Sequence, residues 1–152
     1  MAKKAAGILL YRFVHHELNV FLIHPGGPFW SKKDEWMIPK GEFEDDESPL
    51  DAAKREFFEE TGFAVSGNFT PLTTIKQTGG KTIYAFAVEG DCDADAIRSN
   101  EFEMEWPPKS GKKQMFPEVD RAAWFSIDSA RNKMLKSQLP LLDELEKILK
   151  FR

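Results

Sequence analysis

The chain has 152 residues, of which 41% are hydrophobic and 30% are charged, and its formal net charge is −4. This length predicts one domain over residues 1–152, and the acidic balance argues against broad electrostatic binding to nucleic acid or anionic membranes. The apolar run near the first residue is too short to cross a membrane. Cys92 is the lone cysteine, which excludes an internal disulfide and favours a reducing compartment, so we expect a cytoplasmic protein.

The first forty residues combine short apolar runs with a segment, HPGGPFWSKKD, that is rich in glycine and proline. Runs of branched and aromatic residues between polar stretches are typical of strands. Glycine and proline favour turns and loops because they supply the backbone angles that tight turns need. The predicted elements are strands over residues 5–12, 20–24 and 35–38, with a loop over residues 24–34.

A helix is predicted over residues 49–61. Ser48 suits the N-cap, Pro49 suits the first helical position, and Gly62 suits the C-terminal stop. An apolar stripe on one side of this helix is expected to face the core. The stripe consists of Leu50, Ala53 and Phe57.

The second half of the chain again mixes strand and helix patterns. Gly79 and Gly80 indicate a turn between two strands, and leucines recur at helical spacing near residue 145. This mixture predicts an α/β (α+β) protein with a mixed β-sheet between helices. The predicted elements are strands over residues 69–77, 82–89 and 122–126, an irregular segment over residues 91–113, and helices over residues 128–135 and 139–149.

Three glutamates, Glu56, Glu59 and Glu60, lie close together on the first predicted helix. Spacings of three and four residues bring them to nearly one side, where like charges destabilise a helix by about 0.2–0.5 kcal/mol per pair. One interpretation is a solvated acidic face, as most charge runs are. The other is a divalent metal site, since Mg²⁺ takes carboxylate oxygens together with substrate phosphates.

The sequence of residues 41–63, GEFEDDESPLDAAKREFFEETGF, resembles the Nudix box, which reads Gly, five residues, Glu, seven residues, Arg-Glu-apolar-any-Glu-Glu-any-Gly-apolar. The match has no gap and no substitution, so accidental agreement is far less probable than for a lone glycine motif. The chain is therefore identified as a member of the Nudix hydrolase family, and the resemblance implies that family's α/β/α sandwich with a central mixed sheet. The matched positions are Gly41, Glu47, Arg55, Glu56, Phe57, Glu59, Glu60, Gly62 and Phe63.

The resemblance also implies an activity, the metal-dependent cleavage of a nucleoside diphosphate that is linked to another group, X. By matching position, the expected metal ligands are Glu56, Glu59, Glu60 and the backbone carbonyl of Gly41, with Mg²⁺ as the ion and Mn²⁺ as an alternative. Arg55 is expected to pair with these carboxylates and orient them. Together with Glu59 and Glu60, it makes up the catalytic part of the box.

The general base is left open by the box, because in this family it is a box glutamate in some enzymes and a later glutamate in others. Glu118 lies six residues before Trp124, in a segment that resembles the one after the box in many members. It is a candidate for activating water or binding a further metal, and the alternative is an ordinary loop carboxylate. Glu103 and Glu105 compete for the same role, since a base must reach the attacking water.

Residues outside the predicted helix are candidates for substrate binding. Lys40, directly before the box, is either a phosphate-binding group or a solvated lysine. The segments DEWMIPKGE and GKTIYAFAVEG resemble those of diadenosine-tetraphosphate hydrolases, in which a tyrosine stacks on an adenine. Tyr84 is the matching position, with strand packing as its alternative, and Lys81 is a candidate for a phosphate contact.

The leading substrate is therefore a dinucleoside polyphosphate such as diadenosine tetraphosphate, and the expected partner is a small nucleotide rather than a nucleic acid. The loop over residues 24–34 departs from the pattern of those hydrolases, and its Phe29 or Trp30 is a candidate for closing over a base. One alternative is a nucleoside triphosphate pyrophosphohydrolase that removes oxidised or unwanted nucleotides. A second is a 5′ cap hydrolase that uses a basic patch at residues 109–113, and a third is a non-catalytic nucleotide-binding module.

Overall fold

A seven-stranded mixed sheet forms the centre of the computed structural model, which describes residues 3–77 and 79–150. Two further strands pair with each other outside this sheet as a hairpin. The strands of the sheet are β1 (Lys4–Val14), β2 (Glu17–Pro25), β3 (Lys40–Glu42), β4 (Thr70–Pro71), β5 (Ile75–Lys76), β6 (Thr82–Glu89) and β9 (Val119–Ser126), and those of the hairpin are β7 (Glu101–Glu105) and β8 (Lys113–Pro117).

Helices cover both faces of the sheet. Side chains alternate along β1, so Ile8 packs with Phe57 on one face and Leu9 packs with Leu145 on the other. This arrangement confirms the predicted α/β/α sandwich with a central mixed sheet. The helices are α1 (Pro49–Thr61) on the first face, and α2 (Ile127–Lys133) and α3 (Leu139–Lys150) on the second.

β2 and β3 pair with different parts of the same edge of β1, and this arrangement positions the box. The end of β1 pairs with β2, as Tyr11 opposite Val20, whereas its beginning pairs with β3, as Ala6 opposite Gly41. β6 runs parallel along the other edge. Because α1 follows β3 after a short connection, the first glycine of the box and the box helix meet where β1 and β2 diverge.

The predicted helix over residues 49–61 is confirmed with its bounds. The hydroxyl of Ser48 accepts a hydrogen bond from the amide of Asp51 at 3.1 Å, as an N-cap does. Gly62 ends the helix with a φ of 80°, a left-handed conformation that glycine adopts without strain. Of the three predicted core positions, Ala53 and Phe57 are fully buried, whereas Leu50 is only half-buried.

The predicted strand over residues 69–77 is wrong as a single element, because it is interrupted between β4 and β5. The amide of Thr73 donates to the carboxylate of Glu144 on α3 at 2.8 Å instead of to the sheet. The predicted turn is confirmed by Gly79 and Gly80, whose φ values are 93° and 87°.

The predicted strand over residues 35–38 is also wrong. Trp36 bridges to Met134 and Met37 bridges to Ile23, so neighbouring residues have partners on different elements and no ladder forms. The other predicted elements are confirmed with shifted bounds: residues 5–12 lie in β1, 20–24 in β2, 82–89 in β6, 122–126 in β9, and 128–135 and 139–149 correspond to α2 and α3.

The segment over residues 91–113, predicted to be irregular, contains a short 3₁₀ turn at Ala94–Ala96 and the strand β7, which pairs with β8. Phe102 and Phe116 face each other across this pairing, with 6.0 Å between their ring centroids. The overlooked signal is the alternation of glutamate with apolar residues in EFEME. The prolines that argued against regular structure belong to the connection between the two strands.

Cys92 is half-buried, and burial raises the pKa of its thiol to about 11. A thiol with this pKa stays protonated at neutral pH and is a poor nucleophile. Among the helices of the described residues, none is both long and apolar enough to cross a membrane.

Candidate active site

The carboxylate of Glu56 lies directly against the α-carbon of Gly41. Strand pairing with β1 positions Gly41, and α1 carries Glu56 to it. A β-carbon built at residue 41 would lie 2.1 Å from Oε2 of Glu56, a separation that real side chains do not reach. Residue 41 must therefore be glycine for this carboxylate to keep its position, which is a physical reason for the glycine that begins the box.

Arg55 joins three carboxylates of the box. Its Nε and Nη2 donate to the two oxygens of Glu47 at 2.8 and 2.9 Å, while Nη1 donates to Glu56 at 3.0 Å and to Glu59 at 2.9 Å. The bond to Arg55 holds the pKa of Glu47 below its ordinary value. Paired hydrogen bonds of this kind orient carboxylates as well as neutralise them. The expected pairing is thus present in the structure, and the effect of Arg55 on catalysis stays a prediction.

Glu60 bonds to β3 rather than to Arg55. The backbone amide of Lys40 donates to Oε1 of Glu60 at 3.2 Å. Burial raises the pKa of Glu60 to about 8, and the nearby charges of Glu56 and Glu118 act in the same direction. Burial likewise raises the pKa of Glu56 above its ordinary value and lowers that of the Lys40 ammonium. The cluster therefore holds carboxylates that are costly to keep ionised when no cation is near.

Glu118 comes close to the box carboxylates through the sheet, although it is far from them in the chain. Its amide donates to the carbonyl of Asn100 at 2.8 Å, and its carbonyl accepts from the amide of Gly26 at 2.9 Å. Burial raises the pKa of Glu118, and the charge of Glu59 raises it further. Of the glutamates after the box that are candidates for the base, Glu118 therefore lies close to the box carboxylates in the fold.

The competing candidates Glu103 and Glu105 are held in the β7–β8 hairpin instead. Glu103 pairs with the ammonium of Lys113 at 3.5 Å. The carboxylate of Glu105 accepts from the amides of Lys109 and Gly111 at 3.1 and 3.0 Å. These bonds give both residues a structural role in the hairpin and leave Glu118 as the better-placed candidate.

A cleft of about 940 Å³ lies beside the carboxylate cluster. Lys40, Glu60 and Glu118 line one part of it, and Trp30 and the segment 132–137 contribute much of the remainder. Small-molecule sites typically occupy about 300–1,000 Å³, so the cleft is large enough for a ligand of nucleotide size. The contribution of residues 132–137, which comprise the end of α2 and most of its connection to α3, had no signal in the sequence.

The loop over residues 24–34 separates its two aromatic candidates. Phe29 is 58% exposed and packs edge-to-face on Trp106 of the hairpin, with 5.4 Å between centroids. Trp30 lines the cleft, and the ammonium of Lys33 lies 4.9 Å from the centroid of its ring. Trp30 is therefore the aromatic residue of this loop that is placed to meet a ligand.

Tyr84 and Lys81 are absent from the cleft lining that the described residues form. The ring of Tyr84 packs edge-to-face on Phe43, with 5.8 Å between centroids, in the core beneath α1. The ammonium of Lys81 pairs with the carboxylate of Glu42 at 3.1 Å. The stacking role of Tyr84 and the phosphate role of Lys81 stay predictions, and the cleft favours Trp30 over Tyr84 as the stacking residue.

The oxygen donors of the box suit a hard divalent cation, although they are not gathered around one point. Within residues 3–77 and 79–150, no three histidine, cysteine, aspartate or glutamate side chains converge as metal ligands do. Arg55 bonds to Glu56 and Glu59 through Nη1, whereas Glu60 accepts from the amide of Lys40 on β3. The carboxylate of Glu56 nevertheless occupies the space that a β-carbon at residue 41 would fill, so it lies close to the backbone of Gly41. Carboxylate and carbonyl oxygens are the donors that Mg²⁺ prefers, so these residues fit the ion.

Comparison with known proteins shows to which family this fold and carboxylate cluster belong. The family model of the NUDIX domain matches residues 1–145, so the chain belongs to the Nudix family. Nudix hydrolases generally use divalent metal ions and act on small nucleotide-like substrates.

Two curated relatives are similar to parts of the chain. The chain is 37% identical over 62 residues to mRNA decapping complex subunit 2 of Schizosaccharomyces pombe, a match that covers 40% of the chain and 8% of the relative. It is 34% identical over 67 residues to the RNA pyrophosphohydrolase of Bartonella henselae, covering 40% of the chain and 35% of the relative. The chain thus spans well under half the length of these two relatives.

A solved structure is similar over the whole chain. The Ap4A hydrolase of Caenorhabditis elegans, in a binary complex, superposes with a TM-score of 0.69 and covers 99% of this chain and 100% of its own. Its sequence identity to this chain is 19%, so the likeness is one of fold.

Replacing Glu60 by glutamine is expected to stabilise the metal-free protein at high pH. Because the folded-state pKa of Glu60 is raised to about 8, folding favours the protonated carboxyl. That stabilisation is present at low pH and is lost as the pH rises through about 8. Glutamine has no charge to bury and keeps an oxygen for the amide of Lys40. We expect its free energy of unfolding to exceed that of the wild type by about 1–3 kcal/mol above pH 8.

Urea denaturation in the presence of EDTA, at about pH 5 and about pH 9, measures this difference. The exposed Glu101→Gln is the matched control and is expected to change stability little at either pH. A stability difference between the wild type and Glu60→Gln that does not grow with pH would contradict the prediction.

Proposed function

We propose that this enzyme hydrolyses dinucleoside polyphosphates, such as diadenosine tetraphosphate, in a reaction that needs a divalent metal ion. The observation that carries the proposal is the continuity of the cleft from Lys40, Glu60 and Glu118 to Trp30. Lys40, together with a cation held by the carboxylates, would suit a polyphosphate, and an aromatic ring at another part of the cleft suits a base. Further support comes from the fold, which is similar along its full length to that of an Ap4A hydrolase.

In the proposed reaction the box carboxylates and the carbonyl of Gly41 hold the cation. Bound there, a divalent cation neutralises phosphate charge and polarises the phosphorus that water attacks. The ligands would be Glu56, Glu59 and Glu60. Arg55 keeps Glu56 and Glu59 oriented through its bonds of 3.0 and 2.9 Å, which is a positioning task.

Glu118 and Lys40 supply the remaining parts of the proposed mechanism. The raised pKa of Glu118 suits a group that accepts a proton from the attacking water, since a base is most effective near the working pH. Lys40 lines the same part of the cleft, which supports a role as a donor to a phosphate oxygen. Water adds its hydroxyl to one phosphorus while the bond between an outer phosphorus and its inner neighbour breaks, and the proton of the water leaves with the other product, so diadenosine tetraphosphate yields ATP and AMP.

Product analysis tests this proposal. The enzyme is incubated with Mg²⁺ and, separately, with diadenosine tetraphosphate, nucleoside triphosphates, 8-oxo nucleotides, a 5′-capped RNA and a 5′-triphosphorylated RNA, and the products are resolved by chromatography. We expect ATP and AMP from the dinucleotide as the fastest reaction. Faster release of pyrophosphate from triphosphates would contradict the proposal and favour the removal of unwanted nucleotides.

The RNA substrates in this panel test a second candidate function, hydrolysis at the 5′ end of RNA, which the two curated relatives favour. Both names concern RNA, and both matches cover 40% of this chain. The predicted basic patch at residues 109–113 supports this candidate weakly, because Lys113 is paired with Glu103 and the whole chain is acidic. Preferential cleavage of the RNA would establish this function in place of dinucleotide hydrolysis.

Replacing Trp30 by leucine is expected to raise the KM for the dinucleotide with little change in kcat. Stacking of a base on an aromatic ring contributes about 1–3 kcal/mol, which corresponds to a loss of about 5- to 150-fold in affinity. Trp30→Phe keeps a ring and is expected to retain most of the affinity. Phe29→Leu is the matched control, because Phe29 packs on Trp106 and does not line the cleft. An unchanged KM for Trp30→Leu would exclude the stacking role.

A further inference from the structure

Strand β9 contains an extra residue where it passes His24. His24 lies opposite Arg121 in the ladder, and the next residue, Pro25, lies opposite Val119, so Asp120 has no partner on β2. An insertion of this kind is a β-bulge, which bends the strand and changes the direction of the side chains beside it. Bulges are frequent next to active sites. The extra residue, Asp120, lies two positions after Glu118.

The side chain of His24 fastens the bulge. His24 is fully buried, and its Nδ1 lies 2.8 Å from Oδ1 of Asp120. Its Nε2 contacts the carbonyl oxygen of Lys33 in the loop that carries Trp30. Each ring nitrogen therefore has one oxygen partner, the first on β9 and the second in the loop. His24 also packs edge-to-face on Trp36, with 5.2 Å between centroids, which limits the movement of its ring.

The position of the bulge bears on where Glu118 points. A shift of one residue along a strand moves every side chain to the opposite face. In the bulged arrangement Val119 is buried at 3% exposure while Glu118 lines the cleft. The amide of Gly26, two residues after His24, donates to the carbonyl of Glu118 and holds the same stretch of backbone.

We propose that His24 is a positioning residue, which holds Asp120 in the bulge and thereby aims Glu118 at the box carboxylates. This inference rests on the proposed role of Glu118 in the reaction. The other charged group at the bulge is Arg121, whose Nε lies 3.6 Å from the same oxygen of Asp120. Arg121 is exposed and His24 is buried, so His24 is the partner that water does not replace.

Amide hydrogen exchange in His24→Asn tests the structural part of the proposal without any substrate. Asparagine is too short to span Asp120 and Lys33, so the amide of Gly26 is expected to exchange at least about ten-fold faster. The amide of Leu72, which donates to β6, is expected to keep its wild-type rate. His16→Asn, in the exposed turn between β1 and β2, is the matched control. An unchanged Gly26 rate would overturn the proposal.

The functional part is tested by a double-mutant cycle with Glu118→Gln, measured on the substrate that the wild type cleaves fastest. We expect His24→Asn to lower kcat by about ten-fold with KM changed less than about two-fold, because His24 acts through a reacting group. In the Glu118→Gln background the same substitution is expected to cause no further loss. His24→Gln, which is longer, is expected to recover part of kcat.

The outcomes separate failure of the inference from failure of the proposed mechanism. Equal loss of kcat in both backgrounds would overturn the inference and reduce His24 to a general structural role. Wild-type kcat in Glu118→Gln would instead remove Glu118 from the proposed mechanism, whatever the exchange rate of Gly26. The result expected here is faster exchange of the Gly26 amide together with a loss of kcat that occurs only when Glu118 is intact.

Discussion

Glu59→Gln is expected to lower kcat by about 10²- to 10³-fold while leaving the protein folded. Glutamine has nearly the shape of glutamate but lacks the charge that holds a cation, and it weakens the bond to Arg55, which is 2.9 Å long in the wild type. The side chain of Glu59 is 31% exposed, so the free energy of unfolding should change by less than about 1 kcal/mol.

Steady-state kinetics at saturating Mg²⁺ give kcat, and calorimetric titration with Mn²⁺ gives the metal affinity of each variant. Glu103→Gln is the matched control, because Glu103 pairs with Lys113 in the hairpin, and it is expected to keep kcat within about two-fold of the wild type. Unchanged turnover and unchanged Mn²⁺ affinity in Glu59→Gln would contradict the assignment of Glu59 as a metal ligand.

Gly41→Ala is expected to have the second large effect, a loss of about 100-fold in kcat together with a destabilisation of about 1–3 kcal/mol. The added methyl group would lie 2.1 Å from the carboxylate of Glu56. Either that carboxylate turns away or β3 moves off β1, and both changes separate two proposed metal ligands.

Thermal or urea denaturation and steady-state kinetics measure the two effects of Gly41→Ala. Gly90→Ala is the control, since its added carbon would meet only the flexible end of Leu10 at 3.1 Å. Adding Glu56→Asp to Gly41→Ala withdraws the carboxylate by one methylene, so it is expected to recover part of the stability. Wild-type stability and kcat in Gly41→Ala would show that the close approach of the Glu56 carboxylate to Gly41 is needed for neither.

Several parts of the fold were predictable because their signals are local. The N-cap hydroxyl of Ser48 and the left-handed Gly62 act within a few residues, so the bounds of α1 were predicted correctly. The β7 strand was missed although its alternation is also local, because the prolines of the neighbouring connection were given more weight. Pro71 is a local signal against a continuous strand over residues 69–77, whereas the contact of Thr73 with Glu144, 71 residues further along the chain, has none.

The candidate site divides in the same way. The box, its three glutamates and the glycine before them could be recognised from the sequence, because loop and helix bring residues 41–60 together through short-range structure. The presence of Glu118 near the box, the choice of Trp30 over Phe29, and the packing of Tyr84 on Phe43 depend on strand pairing and on loop contacts.

The spacing of residues 41–63 was thus sufficient to identify the family and the carboxylates that are proposed to serve its chemistry. The shape of the cleft, the bulge at Asp120 and the buried contact of His24 emerged only in the folded chain. The physical reason is distance along the sequence: His24 and Asp120 are 96 residues apart, and their contact exists because β2 and β9 are neighbours in the sheet. Local propensity and residue spacing carry no signal of such a pairing.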